Sequence, residues 1–134
     1  SDVCSSDLES FVPIPLQAAD FTRSPAGLDF IDADKLKTTE VTLKSVIVMD
    51  EVQERSWESI LKVRLPIFMV TATGDRIVDN AKVRGYLAPL FQTPANRAME
   101  LEAGHAVQFE RADELASALL EFLAAQERSR AVAQ

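Results

Sequence analysis

The sequence predicts an α/β fold with a parallel sheet, and three observations carry that expectation. Ile67–Thr71 is a short, continuous apolar run with Pro66 before it and Gly74-Asp75 after it, the pattern of a strand covered on both faces. Ala98–Leu101 supplies a second short strand. Helical patterns follow each of them, and strand–helix–strand–helix order is the order of a parallel α/β unit. The size and composition agree. The chain has 134 residues, of which 47% are hydrophobic and 26% charged, which suits one globular domain. Its 14 basic residues against 21 acidic ones leave a net charge of −7. That balance argues against a nucleic-acid partner or attraction to anionic lipid. No apolar stretch approaches the roughly 20 residues of a membrane-spanning helix, so no transmembrane segment is expected.

The elements follow in order. Glu9–Pro25, with Pro13, Pro15 and Pro25, reads as an extended loop. Ser24-Pro25 is a helix start, a hydroxyl cap followed by proline at the first helical position. The helix it opens covers Pro25–Asp32 and places Leu28 and Ile31 on one face, with Phe30 nearby. Asp32 or Asp34 then caps a longer helix over Lys35–Gln53, in which Leu36, Leu43 and Ile47 recur at helical spacing. Thr38, Thr39, Val41, Thr42, Val46 and Val48 weigh against helix there, because β-branched side chains lose rotamer freedom in one. After the first strand, Asp79-Asn80 opens a helix through about Pro89, with Val83 and Leu87 at i, i+4. The final helix, Ala112–Gln126, carries Leu115, Leu119, Phe122 and Leu123 three to four apart, the clearest amphipathic stripe in the chain.

Functional groups of parallel α/β folds collect in loops beyond the carboxyl ends of the strands. Asp75 follows the first strand and His105, the only histidine, follows the second. Neighbouring strands would set these loops side by side. A carboxylate there can bind one imidazole nitrogen, fix the tautomer and stabilise the imidazolium formed when the ring takes a proton. The plainer readings stand beside this one. An aspartate after a strand is often a turn former, and a loop histidine is often merely solvated. Asp79 reads as the cap of the Asn80 helix and is the alternative acid. Glu102 and Glu110 read as surface or helix-start charges. Trp57, Phe68, Phe91 and Phe122 read as packing. Phe11, Leu28, Phe30 and Ile47 suit an acyl pocket, and ordinary helix packing explains them equally.

Three stretches resemble α/β-hydrolases, most closely the lysophospholipase and monoacylglycerol-lipase-like group. IFMVTATGDRIVDNAKVRGYL (Ile67–Leu87) resembles the family's acid-bearing strand and loop. MELEAGHAVQFERADELASALLEFL (Met99–Leu123) resembles its histidine loop and last helix, with a Glu-Arg-x-x-Glu-like run at the helix start. FVPIPLQAADFTRSPAGLDFIDAD (Phe11–Asp34) resembles its lid. The likeness spans nearly all of residues 11–124, and the Asp/His order fits the family's serine–acid–histidine chain order. It implies that Asp75 is the catalytic acid and His105 the catalytic base. One departure is local: the family's glycine usually sits two residues before the acid, whereas here Thr73 holds that place and Gly74 precedes Asp75.

The family's nucleophile elbow, G-x-S-x-G, is absent. Gly27, Gly74, Gly85 and Gly104 are the four glycines, and none has a serine two residues away. No HGGG-like oxyanion loop occurs either. The resemblance therefore implies a C-terminal fragment of an α/β-hydrolase fold: the last two parallel strands with flanking helices, preceded by part of a helical lid. The lid covers 9–62, the core part 63–126 and a tail 127–134. The first eight residues, SDVCSSDL, resemble translated sequencing adaptor of the kind that contaminates reading frames from environmental DNA; a polar, disordered N-terminus is the alternative. Cys4, the only cysteine, lies within them, so no disulfide framework is expected. The compartment stays open, with the cytoplasm favoured.

The implied activity is hydrolysis of carboxylic esters such as lysophospholipids or monoacylglycerols. Its partners are a small ester or lipid-like substrate and the missing N-terminal half, and the chain alone is expected to be inactive. No organic cofactor and no metal is implied. Haloalkane and epoxide hydrolases share the fold with an aspartate nucleophile, so the nucleophile stays open. The competing reading is a non-catalytic α/β binding or interaction domain in which Asp75 and His105 are incidental.

Overall fold

The computed structural model describes residues 5–132; Cys4 and the end of the expected tail, 133–134, lie outside them. In chain order the elements are α1 (Ser5–Leu8), β1 (Phe11–Pro13), α2 (Ala18–Phe21), α3 (Pro25–Ala33), β2 (Glu40–Thr42), α4 (Leu43–Ile60), β3 (Phe68–Ala72), α5 (Asn80–Leu87), a 3-10 segment (Ala88–Gln92), β4 (Arg97–Leu101), α6 (Val107–Glu110) and α7 (Ala112–Val132). The class is mixed α/β, with two sheets of two strands each. No described helix is long and apolar enough to cross a membrane. The chain divides into two compact units that interleave in sequence. Residues 5–16 join Asp34–Val63, and Gln17–Ala33 joins the residues from Arg64 onward. The segment expected as lid is thus divided between the two.

In the first unit β1 and β2 pair antiparallel, Phe11 against Thr42 and Pro13 against Glu40. The ladder is prolonged by Ile14 N–H to the Thr39 carbonyl at 2.8 Å and Leu43 N–H to the Ser10 carbonyl at 3.0 Å. This corrects two expectations. Glu9–Pro25 is not one extended loop, since it contains β1 and α2. The long helix does not begin at Lys35 under Asp32 or Asp34. Asp34 instead makes a local turn, accepting from Leu36 N–H at 2.8 Å. Thr42 is the cap: it leaves the strand with extended backbone, and its side chain accepts from Ser45 N–H at 3.2 Å. The β-branched residues at 41 and 42 mark a strand and a cap, two places where such side chains suffer no helical crowding. From there α4 runs to Ile60.

The second unit holds the core. β3 and β4 run parallel in the register Phe68↔Arg97 to Ala72↔Leu101, each within one residue of the apolar run that predicts it. Ala72, Leu101, Ala103 and Val107 are buried together, with Val70, Met99 and Leu115 packed against them. Ser24 and Pro25 start α3 as expected, and Gly27, Leu28 and Ile31 are its less exposed face. α5 stops at Leu87 and tightens into the 3-10 segment before Pro89 can be reached in α-helical form, because proline clashes with the preceding turn of an α-helix. α7 extends to Val132, beyond the Gln126 at which the final helix is expected to end. Its inward line is Leu115, Ala118 and Phe122, while Leu119 and Leu123 remain exposed. Two strands offer a narrow platform, so only a narrow stripe of the helix is covered. Phe122 stacks on Phe68 with ring centroids 5.3 Å apart.

Candidate functional site

Asp75 and His105 are held by two loops that leave the carboxyl ends of β3 and β4 side by side. The parallel ladder does not stop with the strands: Thr73 N–H donates to the Leu101 carbonyl at 2.9 Å and Gly74 N–H to the Ala103 carbonyl at 3.0 Å. Gly74 is needed for close approach rather than for an unusual backbone angle, since no residue with positive φ occurs among those described. A Cβ on it would meet the Arg23 guanidinium at 2.7 Å and the Ala103 carbonyl at 2.9 Å.

The Asp75 carboxylate divides its acceptors between loop and partner. Oδ1 accepts from Ile77 N–H at 2.8 Å and Val78 N–H at 3.0 Å, a local Asx-type turn. Oδ2 lies 3.0 Å from His105 Nδ1. An ionised carboxylate only accepts, so Nδ1 is the donor of this bond. The Asp75 side chain is 7% exposed and the His105 side chain 34%; the acid is buried while the imidazole reaches solvent. Burial pushes the Asp75 pKa up, but hydrogen bonds from Val78, His105 and Ile77, together with the His105 charge, outweigh it and hold it below its ordinary 3.8. No described residue hydrogen-bonds Nε2. The imidazole is thus oriented at one nitrogen, and the other has no hydrogen-bond partner among the described residues.

Asp79, the alternative acid, caps α5 by accepting from Lys82 N–H at 3.0 Å. The carboxylate that reaches His105 is that of Asp75. Asn80 anchors the start of the same helix to the end of β3, its side-chain amide donating to the Ala72 carbonyl at 2.7 Å. Of the residues suited to an acyl pocket, Leu28 lines a cleft of about 450 Å³ together with Asp20, Arg23, Gly74, Arg76 and Gly104. Gly74 and Gly104 immediately precede Asp75 and His105, so the cleft opens beside the pair. Its volume lies in the range of small-molecule sites. Phe11 and Phe30 are mostly exposed and Ile47 nearly half so. Among the described residues, no three His, Cys, Asp or Glu side chains gather as a metal site would require.

Glu110 corrects an expectation. It is no surface charge: its side chain is only 14% exposed. Oε1 accepts from the Thr22 hydroxyl at 2.9 Å and from Arg23 N–H at 2.7 Å, and it lies against Gly104, where an added Cβ would meet it at 2.9 Å. Burial pushes its pKa up, but the bonds from Arg23, Thr22 and Gly104 and the Arg23 charge together hold it below its ordinary value. Phe21, one residue away from Thr22, sets its ring edge-on to the His105 imidazole at 5.7 Å and 73°, and its carbonyl accepts from Ala106 N–H at 2.7 Å. Neither role is written in the local sequence, because both depend on partners more than eighty residues away. The Glu-Arg-x-x-Glu-like run does have a local use, for Arg111 bridges to Glu114 at 2.8 Å and to the Glu102 carbonyl at 3.1 Å. Comparison of the chain with protein-family models, curated proteins and solved structures finds no match.

Proposed function

We propose that the chain supplies the acid and base of a serine hydrolase acting on carboxylic esters, as the C-terminal part of an α/β-hydrolase whose nucleophile lies outside it. The observation that carries this reading is the Asp75–His105 bond of 3.0 Å in loops beyond the carboxyl ends of adjacent parallel strands, with Nε2 open. In the proposed reaction Nε2 takes the serine proton as the hydroxyl oxygen attacks the ester carbonyl. Asp75 stabilises the imidazolium, which then protonates the departing alcohol and leaves an acyl-enzyme. Water activated by the same nitrogen releases the acid. Lysophospholipids, monoacylglycerols and related esters are the substrate class that the resemblance suggests. The chain by itself is inactive in this reading, since a base and its orienter have no hydroxyl to activate.

The test is to recover the coding sequence upstream of Glu9 and express the longer protein. A G-x-S-x-G motif and turnover of a monoacylglycerol or a chromogenic carboxylic ester are expected. Asp75→Asn should lower kcat by about 10⁴-fold, the scale seen when a triad aspartate loses its charge, and His105→Ala should be at least as severe. Ester turnover that survives both substitutions sinks the proposal. A start codon just before Glu9 with no such motif would leave a binding domain instead.

A further inference from the structure

We propose that Glu110 is a positioning residue for His105, gripping the backbone just before the histidine and the Phe21–Arg23 segment that braces its ring. The purpose assigned to this grip rests on His105 acting as the base; the grip itself is geometry. α6 is a single turn, Val107–Glu110, and it returns the chain so that the carboxylate five residues after His105 comes up against Gly104. The fit is close enough that a Cβ at Gly104 would meet Glu110 Oε1 at 2.9 Å and the Phe21 carbonyl at 3.0 Å. Thr22, 1% exposed, passes the connection on, because its hydroxyl donates to Glu110 and accepts from Ser24 N–H at 3.1 Å. The imidazole is therefore restrained from three sides: Asp75 at Nδ1, the Phe21 ring beside it, and the Gly104–Ala106 backbone tied to Phe21 and Glu110.

Removing the carboxylate leaves the Thr22 hydroxyl and the Arg23 amide without their acceptor in a partly buried place and opens space against Gly104, which such groups relieve by moving. The movement would release the Phe21 carbonyl from Ala106 and free the imidazole to sample both tautomers. An ion pair alone would not explain the arrangement, since the nearest guanidinium atom, Arg23 Nε, is 4.0 Å from Oε2 while the neutral donors are closer.

The test uses ¹⁵N NMR of the full chain, in which His105 gives the only imidazole pair. Recorded on the neutral ring, the parent shows Nδ1 protonated and Nε2 unprotonated, with well-separated signals. Glu110→Ala is expected to draw the two signals together and to speed amide exchange at Ala106 by about tenfold, the scale of one lost hydrogen bond. Exchange at Val70 and Thr71 in β3 should stay unchanged. Glu110→Gln keeps an acceptor oxygen and should fall between, and it serves as the informative variant if the alanine form loses β3 protection. Asp75→Asn should disturb the ring signals and leave Ala106 exchange alone. Parent-like ring signals and parent-like Ala106 exchange in the folded Glu110 variants would overturn the proposal. Neither readout uses ester turnover, so a longer protein without hydrolase activity would fail the proposed chemistry and leave this result standing.

Discussion

The two units of the chain place their apolar residues in opposite ways. In the unit of residues 5–16 and Asp34–Val63, α4 has eighteen residues and none of them is buried; Val46, Ile47, Val48, Met49 and Val52 all stand substantially exposed. In the other unit a small set of residues, Ala72, Leu101, Ala103 and Val107, is closed off from solvent, and the loops carrying Asp75 and His105 spring from it. Helical spacing of apolar residues occurs in both. What differs is how much of the stripe is buried. The candidate site, with its 3.0 Å bond between two loops, lies in the unit that holds this buried cluster.

The comparison can be broken most directly by truncating one apolar side chain in each unit. Leu101→Ala, at a buried position, should destabilise its unit by about 2–5 kcal/mol, whereas Val52→Ala in α4 should change stability by less than about 0.5 kcal/mol. Intrinsic reporters separate the two responses, since Trp57 lies in α4 and Tyr86 in α5; chemical denaturation followed at each reads each unit. A buried penalty at Val52 would show that α4 is covered in solution.

A second pair sharpens the contrast inside the site-bearing unit. Gly104→Ala puts a Cβ against Glu110 Oε1 and the Phe21 carbonyl and should cost about 1–3 kcal/mol. Gly85→Ala, exposed within α5 with no atom within 4 Å of the added Cβ, should stabilise by about 0.5–1 kcal/mol. Thermal unfolding of both variants tests the signs, and equal shifts would contradict the close packing around the histidine loop.

Acid should act on one unit more than the other. Asp75 and Glu110 have folded pKa values below their ordinary 3.8 and 4.5, so each contributes stability that is present above those values and is lost as pH falls through its folded one. Both belong to the site-bearing unit. The Tyr86 transition should therefore weaken as pH drops below about 4, and Asp75→Asn with Glu110→Gln should flatten that slope. A slope that survives both substitutions would place the acid-sensitive groups elsewhere. A small effect is also expected for Arg97→Gln, which removes an exposed 3.1 Å pair with Glu121 and should change stability by less than about 1 kcal/mol.

The parts legible in the sequence are those whose causes are local. Pro66 and the run after it announce β3, Ser24-Pro25 announces α3, and Asp75 and His105 can be placed because each follows an apolar strand. Thr42 shows the limit: a threonine at a helix edge and a threonine inside a helix look alike until the Ser45 amide is seen to bond it. β1 and β2 escaped because three-residue strands carry no usable alternation, and Pro13 reads as a breaker. Glu110 is the plainest case. Its neighbours in sequence are ordinary helix-start residues, and the donors that define it are a hydroxyl and a backbone amide, 88 and 87 residues away.

The continued ladder beyond β3 and β4 makes the acid–histidine distance a gauge of strand alignment. Each residue of slip between parallel strands moves one loop by about 3.3 Å and turns its side chain to the opposite face. A contact of hydrogen-bond length survives no such slip. Any sequence change that shifts Phe68 off Arg97 would therefore separate Asp75 from His105 without altering either residue. Mutational tolerance in β3 and β4 should then be narrower for residues that specify pairing than for those that merely fill space.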